Sequence, residues 1–135
     1  MIGGRVLDVT AIRDMTIGRT VYGRALVGFA VQETIPLIVP AAALQEAWAG
    51  ASQEDWPFLD FLLDLPVTVV DPLDTAAAAG SGLIAGDVYA ASGWSAAAAH
   101  TVHVAQTRGL PVVTADPAPL RALDVALVFD LLPDA

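Results

Sequence analysis

The sequence predicts an α/β fold in three layers, with helices on both faces of a central parallel sheet of about five strands in a Rossmann-like arrangement. Three observations lead there. Short, apolar, β-branched runs recur along the chain, as in Leu37-Ile38-Val39, Val67-Thr68-Val69-Val70 and Val112-Val113-Thr114. Such runs suit strands that are buried on both faces. Between them stand stretches of helical periodicity, the crossover that a parallel connection needs. No internal repeat and no linker-like segment interrupts the pattern, so residues 1–135 read as one domain.

The elements follow in order. Arg5-Val6-Leu7 reads as a short buried strand that closes at Asp8 and Thr10. Ala11 to Met15 suits a turn or two of helix with Thr10 as its N-cap, broken by Gly18. Val21 to Thr34 sets Leu26, Phe29, Ala30 and Glu33 at helical spacing and stops before Pro36. Leu37-Ile38-Val39 is the second strand, closed by Pro40, which then stands at the entry of a helix from Ala41 to Ala49 ended by Gly50. Ser52 followed by acids predicts a helix over Glu54 to Asp64. Val67 to Val70 is the third strand, Thr75 to Ala85 a helix of small residues, and Gly86 to Ser95 irregular. Ala96 to Arg108 is a helix carrying His100 and His103, capped by Gly109. Val112-Val113-Thr114 is the fourth strand, Pro117 to Ala122 a short helix, and Val125 to Phe129 the fifth strand.

Composition narrows the function classes. Six basic residues, all arginine, face fifteen acidic ones for a net charge of −9. Such a chain repels a polyanion at long range, so salt-driven nucleic-acid binding is disfavoured and no DNA binding by the chain alone is expected. A small site that holds one phosphate through a metal ion remains allowed. No apolar run approaches the length of about 18 residues that a membrane helix needs, and Met1-Ile2-Gly3-Gly4-Arg5 lacks the form of a signal peptide. A cytoplasmic chain without membrane contact is expected. The absence of cysteine excludes a disulfide framework and a thiolate metal site. The apolar excess suggests that another subunit or partner covers part of the surface. Arginine without lysine, together with abundant alanine, points to a GC-rich bacterial source.

In a parallel sheet, ligands bind beyond the carboxyl ends of the strands. Asp8 after the first strand and Asp116 after the fourth stand there, and Glu46 lies about a turn and a half into the helix after the second. Three oxygen donors converging on one crevice suit a hard divalent ion such as Mg²⁺ or Mn²⁺, which polarises a phosphate oxygen and acidifies bound water. Each acid also has a plainer reading: Asp8 as a cap, Thr114-Ala115-Asp116-Pro117 as a turn, Glu46 as a solvated helix face. Other doubly wound families fail simple tests. Leu7-Asp8-Val9-Thr10 carries no G-x-G-x-x-G, and a chain without lysine has neither a P-loop nor the lysine of phosphoaspartate receivers and haloacid-type phosphatases. His100 and His103 share a helix face, but no third nitrogen or thiolate ligand completes a zinc site, so packing or a local hydrogen bond is the expected role of both.

Three ordered segments carry a family resemblance: Val6-Leu7-Asp8-Val9-Thr10, Ile38 to Glu46, and Arg108 to Asp116. Together they resemble the PIN-domain family, the fold of toxin ribonucleases in toxin–antitoxin pairs, from Val6 to about Phe129. The resemblance implies that Asp8, Glu46 and Asp116 are catalytic acids that bind Mg²⁺ or Mn²⁺, supported by Thr10, Thr114 and His100. It also implies a fourth acid opening a helix of the form Asp-Ala-His-apolar. Counted back from Gly109, that place holds Ala98-Ala99-His100-Thr101, so Ala98 stands where the family has aspartate. Asp87 is the one nearby acid, and it falls in the preceding loop.

Two functions follow as expectations. The first is a metal-dependent endoribonuclease of toxin type, weakened by Ala98, with Arg13 the nearest basic residue to meet a phosphate. The second is a PIN-like domain that has lost its chemistry and binds a protein partner or its own copy. For the second, Trp48, Trp56, Phe58 and Phe61 are candidate groove residues, with core packing as their plainer reading. An antitoxin-like partner and a homodimer are implied by the resemblance, and RNA is the substrate only if the site is active.

Overall fold

The computed structural model describes residues 3–17, 20–91 and 94–133. Five strands, Arg5–Leu7 (β1), Leu37–Pro40 (β2), Thr68–Asp71 (β3), Val112–Thr114 (β4) and Phe129–Leu131 (β5), form one sheet in the order β3-β2-β1-β4-β5. Every pairing is parallel. At the centre, Val6 of β1 stands opposite Ile38 on one side and Val112 on the other. The chain thus winds outward from β1 through β2 to β3, then returns to β1's free edge for β4 and β5. Connections leave β1 and β4 in opposite directions, and a crevice opens at their carboxyl ends.

Among the described residues seven α-helices cover the sheet: Val9–Ile17 (α1), Val21–Glu33 (α2), Ala41–Ala49 (α3), Trp56–Asp64 (α4), Thr75–Ala85 (α5), Ala96–Arg108 (α6) and Ala118–Arg121 (α7). The three-layer α/β/α architecture is as the sequence predicts. Alternate strand residues supply two cores, because side chains on a strand point to opposite faces. Leu7, Leu37, Val39 and Val113 pack with Ile12 of α1, Ala30 of α2, Ala43 of α3 and Leu59 and Leu62 of α4. On the other face, Val6, Ile38 and Val112 pack with Val102 and Ala105 of α6 and Leu120 of α7. Each fully buried Val, Leu or Ile contributes about 1.5–3 kcal/mol, so strands of three residues hold by packing more than by their ladders.

Local signals set most boundaries. Ser95 caps α6 by accepting from the Ala98 amide at 3.0 Å, and Gly109 ends it at φ 64°. Asp74 caps α5 through the Ala77 amide, and Thr20 caps α2 through Gly23. Several predicted boundaries move, most by one or two residues. The first helix begins at Val9, because Asp8 rather than Thr10 receives the Ala11 amide, at 2.9 Å. The stretch over Glu54 to Asp64 divides into a 3₁₀ turn at Gln53–Asp55 and α4, whose second residue is Pro57. β3 starts one residue late, at Thr68, and runs to Asp71. The fifth strand is Phe129–Leu131 rather than Val125 to Phe129, and Val125 is 89% exposed. The Gly18 break, and Ser92 and Gly93 within the irregular stretch, lie outside the described residues.

Candidate functional site

A cleft of about 190 Å³ opens beyond the carboxyl ends of β1 and β4. Asp8, Glu46 and Asp116 all line it, together with Thr10, Arg13, Ser95, Ala97, Ala98 and Thr101. Three elements bring the acids there. Asp8 is the residue at which β1 turns into α1, Asp116 follows β4, and Glu46 projects from α3, which starts directly off β2. Ala98 and Thr101 come from one face of α6, being three residues apart.

Asp8 is the fixed point of this cleft and is only 7% exposed. Its Oδ1 accepts from the Thr10 hydroxyl at 2.6 Å and from the Ala11 amide at 2.9 Å, and its Oδ2 accepts from the Thr114 hydroxyl. The same two threonines then reach onward. Thr10 Oγ1 accepts from the Ala115 amide at 2.8 Å, and Thr114 Oγ1 accepts from the Asp116 amide at 3.0 Å. Each hydroxyl has one proton and gives it to Asp8, so the 3.3 Å approach of the two threonine oxygens is a contact rather than a further bond. Thr10 and Thr114 thus join the start of α1 to the turn after β4. Burial pushes the Asp8 carboxyl above its ordinary value, and the bonds from Thr10, Thr114 and Ala11 pull it partly back.

Glu46 and Asp116, by contrast, are exposed at the cleft's rim. Arg13 of α1 is the one basic residue on the described lining. The two ion pairs among the described residues are Arg5–Asp130 and Arg108–Asp71, which leaves the Arg13 guanidinium outside both. It lies against the α-carbon of Gly50 at the end of α3, where any Cβ would run into it. The donor set suits a hard divalent ion in kind, since it is all oxygen and confined to one cleft. In number it falls short: among the described residues no three of His, Asp and Glu gather closely enough to hold an ion. Ala98 adds a methyl group to the lining where a fourth acid was expected.

His100 lies elsewhere. It is fully buried on the other side of α6, where its Nδ1 accepts from the Ala42 amide of α3 at 3.2 Å. With His103, Asp71 and Asp74 it borders a separate hollow of about 230 Å³ between β3, α5 and α6. It touches none of the acids of the cleft, so its part there is indirect. Asp87 is exposed in the 3₁₀ turn Gly86–Val88 and does not reach the cleft. Trp48 is half-buried against the core, whereas Trp56, Phe58 and Phe61 stand out from α4. Sequence reasoning missed Ser95 and Thr101 on the lining, although their spacing from Ala98 along α6 was the available signal.

No family model matches the sequence, and no curated protein matches it. Solved structures do share its fold. VapBC2 from Rickettsia felis, bound to a DNA fragment from their promoter, superposes with a TM-score of 0.74 at 10% identity, over 98% of this chain and 99% of that one. FitAcB from Neisseria gonorrhoeae gives 0.66 at 22% identity, over 96% and 97%. VapBC-5 from Mycobacterium tuberculosis, described as a member of the VapBC family of toxin–antitoxin systems, gives 0.61 at 21% identity, over 99% and 100%.

Proposed function

The chain has a PIN-like fold of the VapC type, and from that premise we propose that it is the toxin-type member of a toxin–antitoxin pair, a weakened metal-dependent endoribonuclease that hydrolyses RNA phosphodiesters. The observation that carries this reading is the gathering of Asp8, Glu46, Asp116 and Arg13 on one cleft. Asp8, Glu46 and Asp116 hold Mg²⁺ or Mn²⁺ in this reading, and such an ion, when bound, polarises a phosphate oxygen and supplies an acidified water. The chain's own part is positioning. Three hydrogen bonds fix the Asp8 carboxylate, the Thr10–Thr114 pair aligns the turn that carries Asp116, and Arg13 offers a cation to one phosphate. The methyl group of Ala98 in place of a carboxylate lowers metal affinity, and with it the rate. A net charge of −9 assigns any broad nucleic-acid contact to an antitoxin-like partner. A homodimer in the cytoplasm is part of the same reading.

A specific observation favours a second reading. Because the three acids share a cleft but, among the described residues, do not stand close enough to hold an ion together, the domain fits a catalytically degenerate module that binds a partner protein or its own copy. Calorimetric titration of Mg²⁺ and Mn²⁺, with cleavage of a model RNA alongside, separates the two. The ribonuclease reading expects metal binding and metal-dependent cleavage that Asp8→Asn abolishes, and tighter binding in Ala98→Asp. No heat at millimolar metal in either the natural chain or Ala98→Asp, and no cleavage, establishes the binding module instead.

A further inference from the structure

His100 presents an unusual pairing. A backbone amide can only donate, so the 3.2 Å bond from Ala42 obliges His100 Nδ1 to be an acceptor. The neutral ring must then carry its proton on Nε2. That Nε2–H is buried without a well-formed hydrogen bond, although the Pro72 carbonyl stands near enough to favour the protonated ring. A metal at Nε2 would need that proton removed, so the pairing argues against His100 as a ligand.

The bond has a place in the architecture. Ala42 is the second residue of α3, where an amide lacks an intrahelical partner, and His100 sits mid-way along α6. These two helices pack against each other, and they are opposite walls of the acidic cleft: α3 carries Glu46, and α6 carries Ala97, Ala98 and Thr101. We infer that His100 is the positioning residue that ties the Glu46 wall of the cleft to the Ala98 wall, and that protonation of its ring releases the tie. An added proton would sit on Nδ1 and face the Ala42 N–H, donor against donor, while the second nitrogen already bears one.

The groups around the ring bear on when this happens. Burial lowers the His100 value below its ordinary 6.5 and His103 on the same helix adds to that, while Asp71 at the end of β3, the Pro72 carbonyl and Asp74 at the cap of α5 oppose it without reversing it. Asp71 is held in a two-pronged ion pair by Arg108, and Asp74 is occupied with the Ala77 amide, so neither is free to stabilise an imidazolium fully. His103 lies over Gly80, where a Cβ would run into its ring. The unfolded chain therefore takes up a proton before the folded one as pH falls. The tie holds at neutral pH and weakens below the ordinary histidine range.

The significance of the tie for RNA rests on the proposed function, but the tie itself does not, and nuclear magnetic resonance of the ¹⁵N-labelled full chain tests it without any substrate. Long-range ¹H–¹⁵N spectra from about pH 8 to about pH 5 report the tautomer and its titration. The expected result is an unprotonated Nδ1 at neutral pH. The Ala42, Glu46 and Ala98 amide signals should then shift with the same midpoint as the His100 ring. In His100→Asn, whose side-chain oxygen can accept from Ala42, those amides should keep their neutral-pH positions at every pH. A proton on Nδ1 at neutral pH would overturn the inference. So would a His100 titration that leaves Ala42 and Glu46 unmoved, or a His100→Asn chain whose Glu46 and Ala98 still follow pH. Coupled titration in a chain that cleaves no RNA would leave the tie standing and remove only the proposed activity.

Discussion

Asp8 shows at the scale of one residue how a buried acid works against the fold. Its carboxyl is buried and its folded value lies above the ordinary 3.8, so the fold binds that proton more tightly than the unfolded chain does. The stability it lends is complete below the unfolded value and is lost as pH rises through the folded one; at neutral pH the ionised group is a cost. Asp8→Asn keeps an oxygen for Thr10 and Ala11, loses the acceptor for Thr114 and removes a charge whose burial outweighs its hydrogen bonds, so it is expected to raise the melting temperature at pH 7 and, on the proposed function, to remove metal binding. The gain should vanish in acid, below the folded value of Asp8, and thermal unfolding monitored by circular dichroism across pH checks the sign. Asp8 and Asp116 were legible in the sequence because an acid directly after a short apolar strand falls at a sheet's carboxyl edge. The threonine bridge was legible only as a supposition, since it joins residues far apart in the chain. His100 was legible as a packed, hydrogen-bonded residue but not by its face: it lies two residues from Ala98, and two residues along a helix is a turn of about 200°, so the side chain belongs to the opposite side from the cleft.

Caps and packing decide the elements. Boundaries announced by a cap on either side, as for Ala41–Ala49, Thr75–Ala85 and Ala96–Arg108, match the sequence reading residue for residue. Of those that rest on apolar content alone, Arg5–Leu7 and Val112–Thr114 also match, but the third and fifth strands shift. Val125 and Val128 look like strand residues, yet they are largely exposed, and the pairing with β4 begins only at Phe129. Two helix ends make an instructive pair. α2 ends with Thr34 at φ 55°, an uncomfortable conformation for a β-branched residue, whereas α6 ends with Gly109 at φ 64°. Left-handed backbone costs a residue with a Cβ about 1–2 kcal/mol. Thr34→Gly is therefore expected to stabilise the chain by about 1 kcal/mol, and Gly109→Ala to destabilise it by a similar amount. Urea denaturation of the two variants would show midpoints moving in opposite directions.

For the whole molecule, α4 turns an apolar face outward. Trp56, Phe58 and Phe61 expose 45%, 54% and 63% of their surface, while Leu59 and Leu62 on the same helix are buried in the core. The expected homodimer should lose its association in a Phe58→Glu, Phe61→Glu chain that keeps its helical spectrum, and sedimentation velocity reads the difference. A sequence-level reading could mark these aromatics but not their direction, because α4 carries apolar residues on both faces. Finally, the placement of β1 at the centre of the sheet has a consequence in time. The bond from Thr114 to Asp8 spans 106 residues. A ribosome delivers the first strand early and the fourth late, and β1 waits throughout with one of its two neighbours unmade. Asp8, with its two threonines, becomes a rigid group only after residue 114 has emerged. Synthesis interrupted before that point yields Asp8 without Asp116 and without the bridge that holds them. Whatever this cleft does, no chain that stops short of Asp116 can do it.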